Sequence, residues 1–222
     1  MAAMASASPT RDLIDFETRE GRMRYLERSF RVHLSGKVLD VGCDVRTLKK
    51  LRPELDYVGI DAGGDPDLRI DLEQNPRLPF QDGQFDLVVC AEVLEHLDNL
   101  HQVFGELVRV TRSKLLISLP NCWTAARRPL SRGKGGIGHY GLPHQRPADR
   151  HKWFFSFGEA RDFTRAMAEV HGLSILETRV SEKPRPVLLR VLRRLRYPRS
   201  ERYLNLYAHT YWVLYQRQGP PA

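Results

Sequence analysis

Four short apolar runs at near-regular intervals constrain the fold more than any other feature: KVLDV (37–41), YVGID (57–61), FDLVVC (85–90) and KLLISLP (114–120). Each is short for a buried helix and too continuously apolar for a strand with one wet face. Such strands are covered on both faces, as in a parallel sheet flanked by helices. The segments between them supply the crossovers that parallel strands require. Residues 45–51 read as a short helix that stops before Pro53, and residues 98–110 as a longer one. DLRIDL (67–72) holds a further strand. Strands alternating with helices in this way specify an α/β sheet.

The flanks read differently. Leu13, Phe16, Met23, Leu26, Phe30 and Leu34 recur at spacings of three, four or seven, which predicts an amphipathic helix over 12–34, weakened at Gly21. Residues 121–152 read as a long loop rich in Gly, Pro, His and Arg. A helix around 157–171, a strand around 173–181 and a basic helix over 186–197 follow, and LNLYAHTYWVLYQR (204–217) reads as one long aromatic strand. The start, MAAMASASPT, is small and polar, so 1–10 is expected to be a disordered leader and 11–222 a single domain.

Composition narrows the functional classes. No run approaches the roughly 20 apolar residues of a membrane span. Cys43, Cys90 and Cys122 are odd in number and widely spaced, which argues against a disulfide framework or a zinc site and makes a reducing cytoplasm the default. Net charge divides sharply: residues 1–126 hold 16 Lys+Arg against 20 Asp+Glu, whereas residues 127–222 hold 19 against 7, a balance of +12. The second half therefore favours an acidic partner.

In open parallel sheets ligands sit at the carboxyl ends of strands. Asp40–Val41–Gly42 ends the first strand of the series, and glycine there lets a ligand approach the backbone. Asp61 ends the next, 19 residues after Gly42, the interval at which a carboxylate meets both hydroxyls of a ribose. Asp71 is placed to meet a purine amine, and Ala91 and Glu92 follow the fourth run. A nicotinamide dinucleotide would put its pyrophosphate on the first turn, where Asp44 would repel it. A nucleoside with a cationic amino-acid tail suits an acidic crevice better, which points to S-adenosylmethionine.

VLDVGC, YVGID, DLEQNPRLPFQDGQFDLVVCAEVLEHLDN and LLISLPN resemble the successive motifs of class I S-adenosylmethionine-dependent methyltransferases of the methyltransferase-11-like group, over residues 36–121. The resemblance implies a Rossmann-like, doubly wound, mostly parallel α/β sheet of seven strands. The last strand would be antiparallel, with an N-terminal helix before the sheet and a basic helix inserted near the C-terminus. It makes 36–121 the cofactor-binding half and 122–222 the substrate side. Asp40, Gly42 and Cys43 would line the methionine end of the cofactor, Asp61 and Ala62 the ribose, Asp71 and Leu72 the adenine, and Ala91 and Glu92 the transferable methyl. The departure is at Asp44 and Arg46, where the family has glycines. Arg46 would swing out, pair with Asp44 or Asp61, or obstruct the site. Asp40 and Glu92 also have plainer readings, as helix-capping and helix-dipole residues.

His139, His144 and His151 cluster in GKGGIGHYGLPHQRPADRHKWFFS (133–156), just past the last parallel strand, and with His96 they are the candidate general bases. Packing of this segment as a lid on Trp153, Phe154 and Phe155 is the alternative. GLPHQRPADRHKWFFS also resembles a stretch of bacterial methyltransferases linked to surface polysaccharide synthesis. In VLLRVLRRLRYP, Leu188, Val191, Leu192 and Leu195 share one helical face and the arginines lie largely off it. Packing of that face on the domain is the first expectation, contact with the inner face of an anionic membrane the second, and nucleic acid the third. The leading function is O-methylation of a small-molecule or glycan acceptor, anionic or lipid-linked. The rivals are an RNA methyltransferase and a binding protein that keeps the fold without the chemistry.

Overall fold

The computed structural model describes residues 8–219, apart from 17, 135, 143 and 146–149. Most of the expected leader, residues 1–7, lies outside the described residues. In chain order the elements are β1 (Thr10–Leu13), α1 (Arg19–Ser29), β2 (Lys37–Val41), α2 (Thr47–Leu51), β3 (Asp56–Asp61), β4 (Leu68–Arg69) and β5 (Phe85–Ala91). They continue with α3 (Leu100–Val110), β6 (Thr111–Pro120), α4 (Cys122–Ser131), α5 (Phe157–Val170), β7 (Leu173–Glu182), α6 (Val187–Arg196), α7 (Ser200–Tyr207) and β8 (Ala208–Arg217).

These strands form one sheet in the order β1-β7-β8-β6-β5-β2-β3-β4. All pairings are parallel except those of β8, which runs antiparallel to both β6 and β7. The chain moves outward from β2 to β3 and β4, then returns to place β5 on the other side of β2. That reversal opens a crevice at the carboxyl ends of β2 and β5.

Side chains alternate across the sheet, so neighbouring residues feed two cores. Leu39, Val88, Cys90, Leu115 and Ile117 pack with α3 on one face. Val38, Leu87, Val89 and Leu116 pack with α1 and Leu48 of α2 on the other. In the second core Trp212 is fully buried, with the rings of Tyr25 and Phe30 at 5.5 and 5.9 Å. Each such buried side chain contributes roughly 1.5–3 kcal/mol. Helix α3 buries Leu100, Val103, Phe104, Leu107 and Val108, the spacing of one helical face. Helix α5 starts on a capping box in which Ser156 accepts from the Glu159 amide and Glu159 accepts from that of Ser156.

Several expectations need correction. The sheet has eight strands, because Thr10–Leu13 pairs with β7 at the edge; the helix begins only at Arg19, where Thr18 caps it by accepting from the Gly21 amide. A three-residue spacing at Leu13 and Phe16 cannot separate an edge strand from the first turn of a helix. The third strand of the series shrinks to Leu68–Arg69. Residues 204–207 are helical, because Tyr203, Leu204 and Tyr207 share one buried helical face. The segment 121–152 contains helix α4. Helix α6 turns its apolar residues outward instead of packing them on the domain.

Candidate active site

The loop after β2 keeps the backbone of a glycine loop with one glycine. Gly42, Asp44 and Arg46 have φ of +79°, +50° and +54°. Non-glycine residues enter this region at a cost of roughly 1–3 kcal/mol. At Gly42 a Cβ would overlap Val93 Cγ2, so no side chain fits. Asp44 is a residue type that tolerates the conformation. Its amide donates to Asp61 Oδ2 at 2.8 Å, and its carbonyl accepts from the Asp65 amide at 2.8 Å. Of the arrangements open to Arg46, the structure shows it swung onto the loop after β3: it donates to Asp65 Oδ2 at 2.6 Å and Asp67 Oδ1 at 2.7 Å, and pairing with Asp44 or Asp61 does not occur. Two nearer carboxylates outcompete the site acids.

Asp40 lies on the buried floor beneath this loop. Tyr57 Oη donates to its Oδ2 at 2.8 Å, while burial pushes the carboxyl up to about 7 despite that bond. It does not cap the next helix, whose N-cap is Arg46. Cys43 is buried beside it, and burial, reinforced by Asp40, lifts its thiol to about 12. Gly59 makes this packing fit, since a Cβ there would come within 2.8 Å of both Cys43 Sγ and Tyr57 Oη.

Asp61 accepts from the Asp44 amide on one oxygen and from the Gly63 amide, at 2.9 Å, on the other. Each carboxylate oxygen retains a second lone pair, so a ribose diol fits the same group. The Ala62 carbonyl accepts from Arg69 at 2.8 Å. Asp71 is exposed beyond the end of β4 and accepts from the Glu73 amide at 2.9 Å, while Leu72 is buried and its carbonyl accepts from Asn99 at 3.0 Å. The donor set, Asp61 with lone pairs left for a diol, the buried Asp40 carboxyl and Gly42 in the loop, fits S-adenosylmethionine.

Ala91 ends β5, and Glu92 follows at φ +54°. The Glu92 carboxylate accepts from Arg22 of α1 and, at 2.9 Å, from Thr210 Oγ1 of β8. It therefore ties the N-terminal helix to β8. A helix-dipole role does not describe it.

The segment between α4 and α5 brings three of the four candidate histidines together, with His96 of the turn after β5. His139 stacks on His151 at 4.4 Å, and His96 meets His151 edge-on at 4.6 Å. His144 is exposed and joins none of these contacts among the described residues; residues 146–149 of the same loop lie outside them. His96 Nδ1 lies 3.1 Å from the Arg150 carbonyl, which only accepts, so Nδ1 carries the proton and Nε2 is the basic nitrogen. His151 Nδ1 lies 3.0 Å from Tyr140 Oη, a hydroxyl that also reaches Cys122 Sγ at 2.6 Å and the Trp153 carbonyl at 2.9 Å.

Glu95, a buried residue, sits 3.9 Å from His96 Nε2. Glu95, His96 and His151 each place one potential metal-ligating atom within 4.8 Å of the others, a grouping hidden from spacing rules because His151 is far along the chain. Lys152 fastens this loop to the cofactor half by donating to Glu73 and, at 2.6 Å, to Asp98. Lys152 is the residue the sequence reading passed over. The S-x-x-E box of α5 is the one local signal that the loop ends in an ordered anchor.

Next to this cluster is an apolar cavity of about 270 Å³, with Glu95, Trp153, Phe154 and Phe155 in its wall. A polar depression of about 640 Å³ is lined by Lys37, at the amino end of β2, and lies away from the crevice.

Residues 39–117 match the family described as a methyltransferase domain. An uncharacterized protein of Methanocaldococcus jannaschii is 31% identical over 83 residues, covering 35% of this chain and 36% of that protein, so the chain matches about a third of this relative's length. A S-adenosylmethionine-dependent methyltransferase from Archaeoglobus fulgidus superposes with a TM-score of 0.59 at 14% identity, covering 90% of this chain and 95% of that one. Magnesium protoporphyrin IX methyltransferase from Synechocystis, with S-adenosylhomocysteine bound, gives 0.55 at 16% identity, covering 90% and 83%. Residues 39–117 thus match a methyltransferase domain, and they lie in a chain whose fold is that of S-adenosylmethionine-dependent methyltransferases.

Proposed function

We propose that the protein O-methylates a hydroxyl group of an anionic small-molecule or glycan acceptor, free or lipid-linked, in the cytoplasm. The observation that carries this reading is the pair His96 and His151, in ring contact at 4.6 Å and each held at Nδ1, one by the Arg150 carbonyl and the other by Tyr140 Oη. Bound S-adenosylmethionine supplies a methyl group already activated on a sulfonium. A hydroxyl acceptor then needs alignment and loss of its proton. His96 or His151 takes that proton at Nε2, and Glu95 steadies the imidazolium formed on His96. His139 stacks behind His151 and fixes its ring plane. Asp61 and Ala62 hold the ribose; Asp40, Gly42 and Cys43 line the methionine end; Asp71 and Leu72 flank the adenine; Ala91 and Glu92 border the methyl. The +12 balance of residues 127–222 draws an anionic acceptor to this side.

The test is transfer of labelled methyl to a panel of sugar phosphates, uronic acids and lipid-linked glycans, with RNA alongside. The expected result is label in an alkali-stable ether on an anionic glycan. Label in RNA, with binding that falls steeply in salt, would replace the acceptor class.

A further inference from the structure

Helix α6 is amphipathic in an inverted sense. Its six apolar residues, Val187, Leu188, Leu189, Val191, Leu192 and Leu195, are all exposed, from 39% at Leu189 to 73% at Leu195. Three of its arginines, Arg190, Arg193 and Arg194, are the partly buried residues. The guanidinium of Arg193 lies over the Tyr207 ring at 4.3 Å and that of Arg194 over the Tyr203 ring at 4.5 Å. Both tyrosines are buried on α7. Cation–π stacking on a largely desolvated ring is worth more than at an open surface, so the arginines pin the helix and the leucines face out.

Topology places this helix at the functional edge. Strand β7 is parallel to β6 in direction, since both run antiparallel to β8. The connection from β7 to β8, which contains α6 and α7, therefore leaves and re-enters at the edge where β2, β5 and β6 end. Arg127 of α4 stacks on the same Tyr207 ring at 4.9 Å, joining α6 to the helix that begins the acceptor-side loop.

We propose that the outward apolar face of α6 docks on an anionic lipid bilayer and so presents the acceptor side of the crevice to substrates at the membrane surface. Charge complementarity selects this occupant. Residues 183–202 carry eight Lys+Arg against one acid, and Arg185, Arg196, Arg199 and Arg202 bracket the apolar stripe. A helix that lies in a bilayer interface combines such a stripe with such a surround. A second copy of the chain would set like charges against each other across an isologous interface, and RNA has no use for exposed leucines. The proposal rests on the reading that the acceptor is anionic, and it narrows that acceptor to one carried at a membrane.

The test is co-sedimentation of the full chain with vesicles of phosphatidylcholine containing about a third phosphatidylglycerol, against pure phosphatidylcholine. Binding to the anionic vesicles should exceed binding to the neutral ones by about tenfold or more, and Leu188→Ser/Leu192→Ser should lower it by about tenfold or more. S-adenosylhomocysteine affinity of that double variant should equal the wild type, showing that the variant folds and separating failure here from failure of the enzyme reading. Equal binding to both vesicle types would overturn the proposal, as would no binding to either. A dimer in lipid-free solution that dissociates in the double variant would overturn it in favour of a second copy.

Discussion

The cofactor side and the acceptor side are built on different principles. Every candidate cofactor residue sits on a strand of the sheet or within three residues of its end, and register fixes the strand positions: Asp40 opposite Gly59 and Val89, Asp61 opposite Arg69, Ala91 opposite Ser118. The acceptor side is a loop whose order comes from long-range ties, such as His96 to the Arg150 carbonyl and Lys152 to Asp98 and Glu73. A side chain fixed by backbone register tolerates substitution nearby. One fixed by a handful of side-chain bonds is open to respecification.

The largest expected effect is on the acceptor side. Replacing both His96 and His151 with alanine should lower methyl transfer to the identified acceptor by roughly 10²–10⁴-fold, with S-adenosylhomocysteine affinity unchanged. A parallel loss of cofactor affinity would show that the two sides are not separable.

Gly42→Ala comes next. A Cβ there combines a left-handed φ with overlap on Val93, so a loss of about 2–4 kcal/mol is expected by denaturant unfolding. Val93→Ala in the same chain should recover the steric part and leave the backbone part.

Asp40 supplies a pH dependence. Its carboxyl is raised from the ordinary range to about 7, so the ionised form that attracts a cationic tail is gained as pH rises through that value. Affinity for S-adenosylmethionine should therefore climb between about pH 6 and 8, and Asp40→Asn should flatten the profile. For stability the sign is opposite. The folded state holds this proton more tightly than the unfolded chain, so the contribution is full below the unfolded value near 4 and is lost as pH rises through about 7. Asp40→Asn should remove that slope in thermal unfolding.

The smallest effect is expected at the altered loop. Asp44→Gly relieves a left-handed residue, a gain of about 0.5–1 kcal/mol, and keeps the amide that donates to Asp61. Calorimetry should find cofactor affinity within about threefold of the wild type. A large gain would mean that the aspartate side chain obstructs the site.

The same contrast explains what the sequence reveals. Continuous apolar runs disclose β2, β3, β5 and β6, because a strand buried on both faces leaves little other reading. The antiparallel β8 is legible for the same reason, but LNLY before it is not, since a helical face of Tyr203, Leu204 and Tyr207 looks aromatic in either conformation. The edge strand Thr10–Leu13 is too short to carry a period. Arg46 escapes because its partners Asp65 and Asp67 lie in a loop whose path no periodicity describes. The outward face of α6 escapes because periodicity identifies an apolar stripe without saying what covers it, and the stacking of Arg193 and Arg194 on buried tyrosines decides the orientation.

The central claim is that a loop with one glycine still forms the cofactor site, through Asp61 and the left-handed backbone at 42–46. Calorimetric titration of the protein and of Asp61→Ala with S-adenosylhomocysteine tests it directly, with circular dichroism to follow folding. The account predicts micromolar binding by the wild type and a loss of about a hundredfold or more in the variant, since one carboxylate provides two charge-assisted bonds to the ribose. Folded wild-type protein that does not bind, or an Asp61→Ala variant that binds as tightly as the wild type, would contradict it.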